Sequence, residues 1–362
     1  MTANIAAFAS SKSQSSGNAI SQAIPSASQY NPEAETASAD ASPIFDDKIG
    51  FDGWAISVAT KGMNEILQLD NNSSIQIAGP TASGKSALAV KLAQMHDGEI
   101  INVDSMQVYD ILDVITARPS QDELASVPHH LYGYVQPGTE YSTGHWYDDV
   151  SAVISEVQSR GKIPVFVGGT GLYFKALNGG LSKMPQIPDD IRAKWRKKLE
   201  HDGIASLYDE LMARDSNLAS EFRPNDKQRI SRALEVYDAT GRSIREFQHA
   251  SGAPLIDTEH SKKIILMPER PLLHERIKLR FHKMMDEGAI DEVKNILAAN
   301  IDQNHTSMKA IGVREIARYV DGEISLDEAI ELAVIATRQY AKHQSTWFRN
   351  QLGADWIMIS KL

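Results

Sequence analysis

The stretch Gly79-Pro80-Thr81-Ala82-Ser83-Gly84-Lys85-Ser86 matches the pattern G-x-x-x-x-G-K-[ST] at every defined position. The run 75–78 before it is mostly apolar and predicts a short buried strand, while the apolar residues of 87–93 predict a buried helix. A strand, a glycine-rich loop and a helix in this order direct backbone N–H groups and the positive end of the helix dipole at one point. The stretch, called the phosphate loop below, therefore predicts a site for a diphosphate or triphosphate.

The last two residues of the phosphate loop have defined tasks in this pattern. Lys85 is expected to reach the terminal phosphates, and the Ser86 hydroxyl is expected to ligate a Mg²⁺ ion that bridges them. A loop without a ligand is the alternative, which the flanking strand and helix disfavour. We therefore predict Mg²⁺ as the cofactor, Ser86 as its ligand, and eight contacts to the diphosphate: Gly79, Pro80, Thr81, Ala82, Ser83, Gly84, Lys85 and Ser86.

The composition is typical of a globular protein. The chain has 362 residues, of which 42% are hydrophobic and 23% are charged. It contains no cysteine, which excludes disulfides, thiolate zinc sites and cysteine nucleophiles. No apolar run approaches the ~18 residues of a membrane span, and the amino terminus has no pattern of a secretory signal or a transit peptide. We expect a cytoplasmic monomer with no membrane partner.

The charge of the chain is unevenly distributed. The formal net charge is −10, and residues 1–74 carry half of that excess, because three basic side chains stand against eight acidic ones there. Binding of a nucleic acid depends on a local basic surface and not on the total charge. The overall acidity therefore does not exclude an RNA partner for the rest of the chain.

Composition and periodicity divide the chain into five parts. Residues 1–45 are rich in Ser, Ala and Gln without apolar periodicity, which predicts a disordered extension. Residues 46–74 are predicted to be a linker or an irregular arm. The core occupies 75–187 and resumes at 253–362, and the wholly helical pattern of 188–252 indicates an insertion between its two parts.

Two more buried strands are predicted at 99–103 and 163–167, and each ends in a polar or glycine-rich stretch. Together with the intervening helical patterns they predict an α/β fold of the P-loop NTPase type. In that fold a parallel sheet has helices on both faces, and here it also has an inserted all-helical domain. Ligands of such sheets lie beyond the carboxyl ends of the strands. The ends of all three strands should therefore meet at the phosphate site.

Asp104 directly follows the second of these strands. A carboxylate opposite a bound diphosphate is placed to accept a proton from an attacking amine or hydroxyl. The alternative is a structural role, in which Asp104 caps the following turn. The residue type and its position leave both interpretations open.

Helical patterns occupy much of the remaining chain. We predict helices at 146–160, at 272–297 and at 326–350, and a loop-rich connection at 111–145. Basic residues accompany the apolar stripes of the last two helices, namely Arg276, Arg280, Lys283, Arg338, Lys342 and Arg349. Basic side chains interleaved with aromatic ones suit RNA, although an ordinary packed helix has the same pattern.

The phosphate loop alone indicates a nucleotide kinase or an NTPase. Such enzymes usually also have a hydrophobic strand ending in Asp, or an arginine-rich lid. Here the strand at 163–167 ends in Gly168-Gly169-Thr170, and the acid follows a different strand. This arrangement disfavours phosphoryl transfer from ATP.

Five stretches, in this order, resemble the tRNA dimethylallyltransferase (tRNA isopentenyltransferase) family. They are the phosphate loop, Asp104-Ser105-Met106-Gln107-Val108-Tyr109, Val167-Gly168-Gly169-Thr170-Gly171-Leu172-Tyr173, Asn225-Asp226-Lys227-Gln228-Arg229-Ile230 and Thr337-Arg338-Gln339-Tyr340-Ala341-Lys342. The resemblance extends from Ile75 to about Trp356. It implies transfer of a dimethylallyl group from dimethylallyl diphosphate to N6 of the adenosine on the 3′ side of the anticodon, tRNA position 37.

The resemblance also implies roles for individual residues. Asp104 would be the general base on N6, and Thr170 and Arg280 would assist departure of the diphosphate. The helical insertion would hold the anticodon stem-loop of the tRNA. The implied tRNA contacts are Asp104, Ser105, Met106, Gln107, Thr170, Arg192, Asp226, Lys227, Gln228, Arg229, Ile230, Arg338 and Lys342.

Three residues depart from the family pattern. Ile115 stands where glycine is usual, Val313 where tyrosine is usual, and His343 where arginine is usual. Because a β-branched residue does not readily adopt a positive φ, Ile115 predicts a rearranged loop. Two alternative functions remain open at this point: a small-molecule kinase with a P-loop, and a prenyltransferase acting on free adenine nucleotides.

Overall fold

The structure is a computed structural model that describes residues 69–70, 73–248 and 252–360. The predictions for 1–45 and for most of the arm at 46–74 lie outside these residues. In chain order the elements are β1 (Ser74–Ala78), α1 (Lys85–Met95), β2 (Gly98–Asn102), α2 (Gln121–Ser126), β3 (His129–His130), α3 (Thr143–Ser159), β4 (Ile163–Gly168), α4 (Gly171–Gly179), α5 (Asp189–Arg214), α6 (Ser216–Ala219), α7 (Lys227–Thr240), α8 (Ile244–Gln248), β5 (Ser261–Leu266), α9 (Arg270–Asp286), α10 (Ala289–Ala298), α11 (Val313–Val320), α12 (Leu326–Gln351) and β6 (Ile357–Ile359).

The strands form one sheet in the order β3-β2-β4-β1-β5-β6, and every neighbouring pair is parallel. The register pairs Ala78 with Gly168 and Asn102 with Val167. The carboxyl ends of β1, β2 and β4 therefore lie at the same level. This arrangement confirms the prediction that three strand ends meet at one edge of a parallel sheet.

Alternate residues of the central strands face opposite sides of the sheet, and both sides are covered by helices. On one side Ile75 and Ile77 of β1 pack with Leu88 and Leu92 of α1. On the other side α3 and α4 cover the sheet, and Phe348 of α12 joins their cluster. Such strands are apolar throughout because each face is buried. The predicted class, a parallel sheet between helical layers, is confirmed.

A third apolar cluster connects the helices of the carboxyl-terminal part to the connection after β2. It contains residues of α9 to α12, among them Phe281 and Val313, together with Leu112 and Ile115. Residues 272–297 are not one helix as predicted, because Gly288 has φ 100° and separates α9 from α10. The connection 111–145 also contains two unpredicted elements, α2 and the short edge strand β3.

The helices α5 to α8 have a buried cluster of their own. Trp195 is 1% exposed and packs with Leu207, Leu211 and Leu234. The cations of Lys194, Lys198 and Arg214 lie 5.1 to 5.5 Å from the centre of the Trp195 ring. These cations also pair with acids of the same helices, which are Glu210 and Asp238. The helical character of the insertion is thus confirmed, and the domain limits 188–252 stay a prediction.

No helix in the described part of the chain has the length and apolar character needed to cross a membrane.

Because Leu211 is fully buried in the cluster of the insertion, we predict that Leu211→Ala destabilises the insertion without affecting the phosphate loop. The expected loss is about 2–5 kcal/mol of unfolding free energy, the usual range for a buried leucine. Hydrogen exchange should localise the loss to α5–α8, while the affinity for inorganic diphosphate should stay unchanged. Leu92→Ala in α1, the helix that follows the phosphate loop, is the matched control and should weaken diphosphate binding. Equal diphosphate affinity in both variants would contradict the separation of the insertion from the phosphate site.

Candidate active site at the carboxyl ends of the strands

The phosphate loop joins β1 to the amino terminus of α1. Ala82 and Gly84 have positive φ angles of 62° and 91°, which allow the chain to turn into the helix within a few residues. Gly84 is suited to this position because it has no side chain to oppose the left-handed conformation. No side chain caps the first turn of α1. Its N–H groups are therefore available for an anion.

Asp104 follows β2 and faces the phosphate loop. Asn102, which is fully buried, holds its backbone: the Asp104 N–H donates to Asn102 Oδ1 at 2.8 Å, and Asn102 Nδ2 donates to the Asp104 carbonyl oxygen at 3.0 Å. One carboxylate oxygen, Oδ1, accepts from the Met106 N–H at 2.9 Å. The capping role considered from the sequence is thus present, since this bond closes a turn, and Oδ2 takes no part in it.

The glycine-rich end of β4 lies beside Asp104. A Cβ atom on Gly168 would come within 2.0 Å of the Val103 carbonyl oxygen, so this position requires glycine. The Thr170 hydroxyl accepts from the Ser105 N–H at 3.0 Å, which joins the ends of β2 and β4. The backbone of Val103 thus packs directly against the end of β4.

Arg280 of α9 reaches the same cleft from the helices of the third apolar cluster. Its guanidinium donates to Thr81 Oγ1 at 3.4 Å and to the Thr116 carbonyl oxygen at 3.3 Å. Lys85 Nζ donates to the Pro80 carbonyl oxygen at 3.3 Å. Two cations therefore stand on the phosphate-loop side of the cleft, with the Asp104 carboxylate near both.

The cleft shifts the pKa values of its ionisable groups. Burial lowers the pKa of Lys85 to about 8, with a smaller opposing effect from the Asp104 carboxylate. Burial also lowers the pKa of Arg280. The pKa of Tyr132 is raised by burial and, to a lesser extent, by Asp104. A bound anion would compensate the buried positive charges.

The structure brings most of the predicted catalytic residues together and adds some that were not predicted. The cleft is lined by Thr81, Lys85, Ser86, Asp104, Gln107, Thr116, Ala117, Tyr132, Val167, Gly168 and Arg280. Tyr132, Thr116 and Ala117 were missed because they lie in the loop-rich connection, where no periodicity placed them. Glu292 was missed as well: its carboxylate accepts from three consecutive N–H groups, those of Asp113, Val114 and Ile115, and so fixes this loop.

Ile115 is not among the residues with a positive φ. Its side chain is buried in the third apolar cluster, and the positive φ in this loop belongs to Ala117, at 47°. Val313 is also buried in that cluster, and His343 is exposed on α12.

The predicted tRNA contacts have different environments. Ser105 and Met106 lie next to Asp104, and Gln107 donates to the carbonyl oxygens of Thr116 and Ala117. Arg192 forms an ion pair of 2.8 Å with Glu140. Lys227, Gln228 and Arg229 are exposed in the first turn of α7, which Asp226 caps. Arg338 is half-buried, and Lys342 is exposed on α12.

Ile230 is the one tRNA prediction that the structure contradicts. It is 0% exposed and packs in the cluster of the insertion, so its side chain is not available to RNA. The cause is the helical period: Ile230 shares the inner face of α7 with Ala233 and Leu234, while 227–229 are exposed in the first turn.

These features define a P-loop protein of the α/β class with a carboxylate in its phosphate cleft. Two family models match the chain, "IPP transferase" over residues 107–351 and "Isopentenyl transferase" over residues 73–132. The chain is 56% identical over 292 residues to a tRNA dimethylallyltransferase of Agrobacterium fabrum, covering 80% of this chain and 98% of that protein. The chain therefore belongs to the IPP transferase family.

Solved structures agree with this assignment. The full-length tRNA isopentenylpyrophosphate transferase of Bacillus halodurans is 35% identical, with a TM-score of 0.57 over 80% of this chain and 90% of that one. A eukaryotic dimethylallyltransferase acting on tRNA is 29% identical, with a TM-score of 0.68 over 80% of this chain and 74% of that one.

The lowered pKa of Lys85 predicts how diphosphate binding depends on pH. Below a pH of about 8 the Lys85 amine is charged and attracts the anion, and above that pH the free protein loses the charge. The affinity for diphosphate should therefore fall by up to about tenfold per pH unit above this value. Calorimetry with inorganic diphosphate from pH 6.5 to 9.5 would measure this. Lys85→Met, which lacks the titrating group, corrects for the ionisation of diphosphate itself. A ratio of the two affinities that stays constant across pH 8 would contradict the prediction.

Proposed function

We propose that the protein transfers the dimethylallyl group of dimethylallyl diphosphate to N6 of adenosine 37 of tRNA, giving N6-(dimethylallyl)adenosine and diphosphate. The observation that carries this proposal is the single cleft that contains the phosphate loop, with Lys85, and the Asp104 carboxylate. The names of the relatives in the same family support it. The reaction belongs to the class of alkyl transfer to an exocyclic amine.

The phosphate loop is the proposed binding site of the diphosphate. Lys85, Arg280 and the N–H groups at the start of α1 are positive groups around one point, and charge grows on the diphosphate as its bond to the prenyl carbon breaks. The Ser86 hydroxyl lines this cleft, and a hydroxyl oxygen beside substrate phosphates suits Mg²⁺. When bound, Mg²⁺ would neutralise part of the phosphate charge.

Asp104 is the proposed general base. The N6 nitrogen of adenine attacks the first prenyl carbon, the carbon–oxygen bond to the diphosphate breaks, and Asp104 takes the proton that N6 must lose. Oδ1 is engaged with the Met106 N–H, whereas Oδ2 has no hydrogen-bond partner among the described residues and therefore suits this task. To reach Asp104 in the cleft, the adenine must leave its stack in the RNA.

The insertion supports tRNA as the acceptor. A free nucleotide needs no second surface, whereas an anticodon stem-loop does, and the helices α5 to α8 form a separately packed body with exposed Lys227 and Arg229. The presence of this second surface likewise disfavours a free adenine nucleotide as the acceptor. A kinase is disfavoured because β4, one of the two strands beside β1, leads into Gly168-Gly169 rather than into an acidic residue. We further propose that the protein acts as a monomer in the cytoplasm.

The decisive test is transfer without ATP. We predict that wild-type protein prenylates unmodified tRNA when given dimethylallyl diphosphate and Mg²⁺ alone, and that Asp104→Asn lowers turnover by roughly two to four orders of magnitude while it still binds diphosphate. Mass spectrometry of the nuclease-digested tRNA identifies the product. A strict requirement for ATP would exclude the proposal, and near-normal turnover of Asp104→Asn would leave Asp104 with only its role in the turn.

A second prediction concerns the RNA surface of the insertion. Replacing Lys227 and Arg229 together by Ala should weaken tRNA binding and reduce the slope of log affinity against log salt by about two at most, because each lost phosphate contact releases one counterion fewer. Diphosphate affinity should not change. Lys162→Ala, which removes a cation at the opposite edge of the sheet, before β4, is the control and should leave both affinities unchanged. Normal tRNA binding by the double variant would contradict the proposed role of α7.

A further inference from the structure

Gln344 of α12 is a buried side chain whose amide is bonded at both ends. It is 6% exposed. Its Oε1 accepts from the Thr81 N–H at 2.9 Å, and its Nε2 donates to the Gly169 carbonyl oxygen at 3.0 Å. A buried amide is destabilising unless its donor and its acceptor have partners, so these two bonds determine where the side chain lies.

The two partners belong to different sides of the cleft. Thr81 is part of the phosphate loop, and its hydroxyl accepts from Arg280. Gly169 precedes Thr170, whose hydroxyl holds the N–H of Ser105 next to Asp104. One amide thus connects the loop proposed to hold the diphosphate with the turn that supports the proposed base.

The absence of a side chain at Gly169 makes this connection possible. A Cβ atom at this position would lie 2.2 Å from Gln344 Nε2 and 3.5 Å from Asp104 Oδ2. The amide of Gln344 therefore occupies the space that any other residue at 169 would need. Gly169 is not among the residues with positive φ, so the close approach, and not backbone conformation, accounts for glycine here.

The helix that carries Gln344 also carries Lys342, one of the predicted tRNA contacts. Lys342 is exposed, and Gln344 lies two residues later on the buried side of the same helix. The Trp347 ring lies against Gly171, where a Cβ atom would come within 2.2 Å of it. α12 is therefore packed against the turn that follows β4 at more than one position.

We propose that Gln344 is a positioning residue for the transfer reaction. It holds the phosphate loop and the Gly169–Thr170 turn at the separation that diphosphate and Asp104 require. Without the amide, Thr81 and Gly169 each lose a buried partner, and the two sides of the cleft are no longer fixed relative to each other. This inference rests on the proposed function, because it assigns Gln344 to the site of that reaction.

The test compares Gln344→Met with wild type. Methionine keeps the length of the side chain and removes both the donor and the acceptor. We expect the dissociation constant for inorganic diphosphate to rise by roughly 5- to 30-fold, since two buried hydrogen bonds are lost, and kcat to fall by a larger factor because the base is misaligned as well. Calorimetry gives the first quantity, and steady-state kinetics with dimethylallyl diphosphate and tRNA gives the second.

A purely structural role would produce a different result. It would lower the melting temperature and the active fraction, and so kcat, while leaving the diphosphate affinity of the folded protein and the KM for the prenyl donor as in wild type; that result overturns the proposal. Ser345→Ala is the control, because it removes a hydrogen bond made within α12, from Ser345 Oγ to the Ala341 carbonyl oxygen, and should change neither constant.

A second variant keeps the test decisive if Gln344→Met does not fold. Gly169→Ala displaces the amide from the other side and should reproduce its losses. Normal diphosphate affinity and kcat in Gly169→Ala would contradict the proposal. If Gln344→Met does fold, the effects of the two changes should not add in the double variant, because both break the same contact, and additive losses would contradict the proposal. If wild type binds diphosphate but forms no product, the proposed function fails, while the comparison of diphosphate affinities still decides whether Gln344 fixes the loop.

Discussion

The parallel pairing of β1 with β4 and of β4 with β2 is the constraint on which the site depends. Its register places Ala78 beside Gly168 and Val167 beside Asn102, so that the phosphate loop, the glycine-rich turn and Asp104 all begin at one level. A shift of one residue would turn each strand's buried side chains to the opposite face. Since both faces are packed with helices, this register is strongly favoured. The packing of the core therefore determines the relative positions of the site residues.

The same geometry concentrates charge. Lys85 and Arg280 lie in a partly buried cleft, where burial lowers the pKa of each, and the Asp104 carboxylate opposes that effect. An unliganded site of this kind is electrostatically incomplete, because two cations share one nearby carboxylate. In the proposed reaction a diphosphate would supply the missing negative charge and leave Asp104 free to interact with the second substrate. Diphosphate binding and the proposed base catalysis would therefore be coupled through one set of charges.

How much of the structure the sequence predicted depends on how far apart along the chain the interacting residues lie. Local patterns located the phosphate loop, three strand ends and Asp104, because each is encoded by a few adjacent residues. Contacts between distant segments were not predictable in this way: Gln344 meets Thr81 across a separation of 263 residues, and Glu292 meets Val114 across 178. Ile230 was assigned to RNA as part of a motif, and only the burial of one helix face showed that its side chain points inward.

The basic residues of the insertion divide into two groups with different consequences. Lys194, Lys198 and Arg214 surround Trp195 and pair with acids of the same helices, so that they stabilise the insertion and offer little charge to a partner. Lys227 and Arg229 stand exposed in the first turn of α7, where the helix dipole is positive, and Arg229 forms an ion pair of 3.6 Å with the capping residue Asp226. Beyond that pair, cations at the positive end of a helix do not stabilise it. The phosphates of an RNA backbone would provide the charge opposite these two exposed side chains. Because RNA binding depends on such a local basic surface, the acidic net charge of the chain does not conflict with a tRNA substrate.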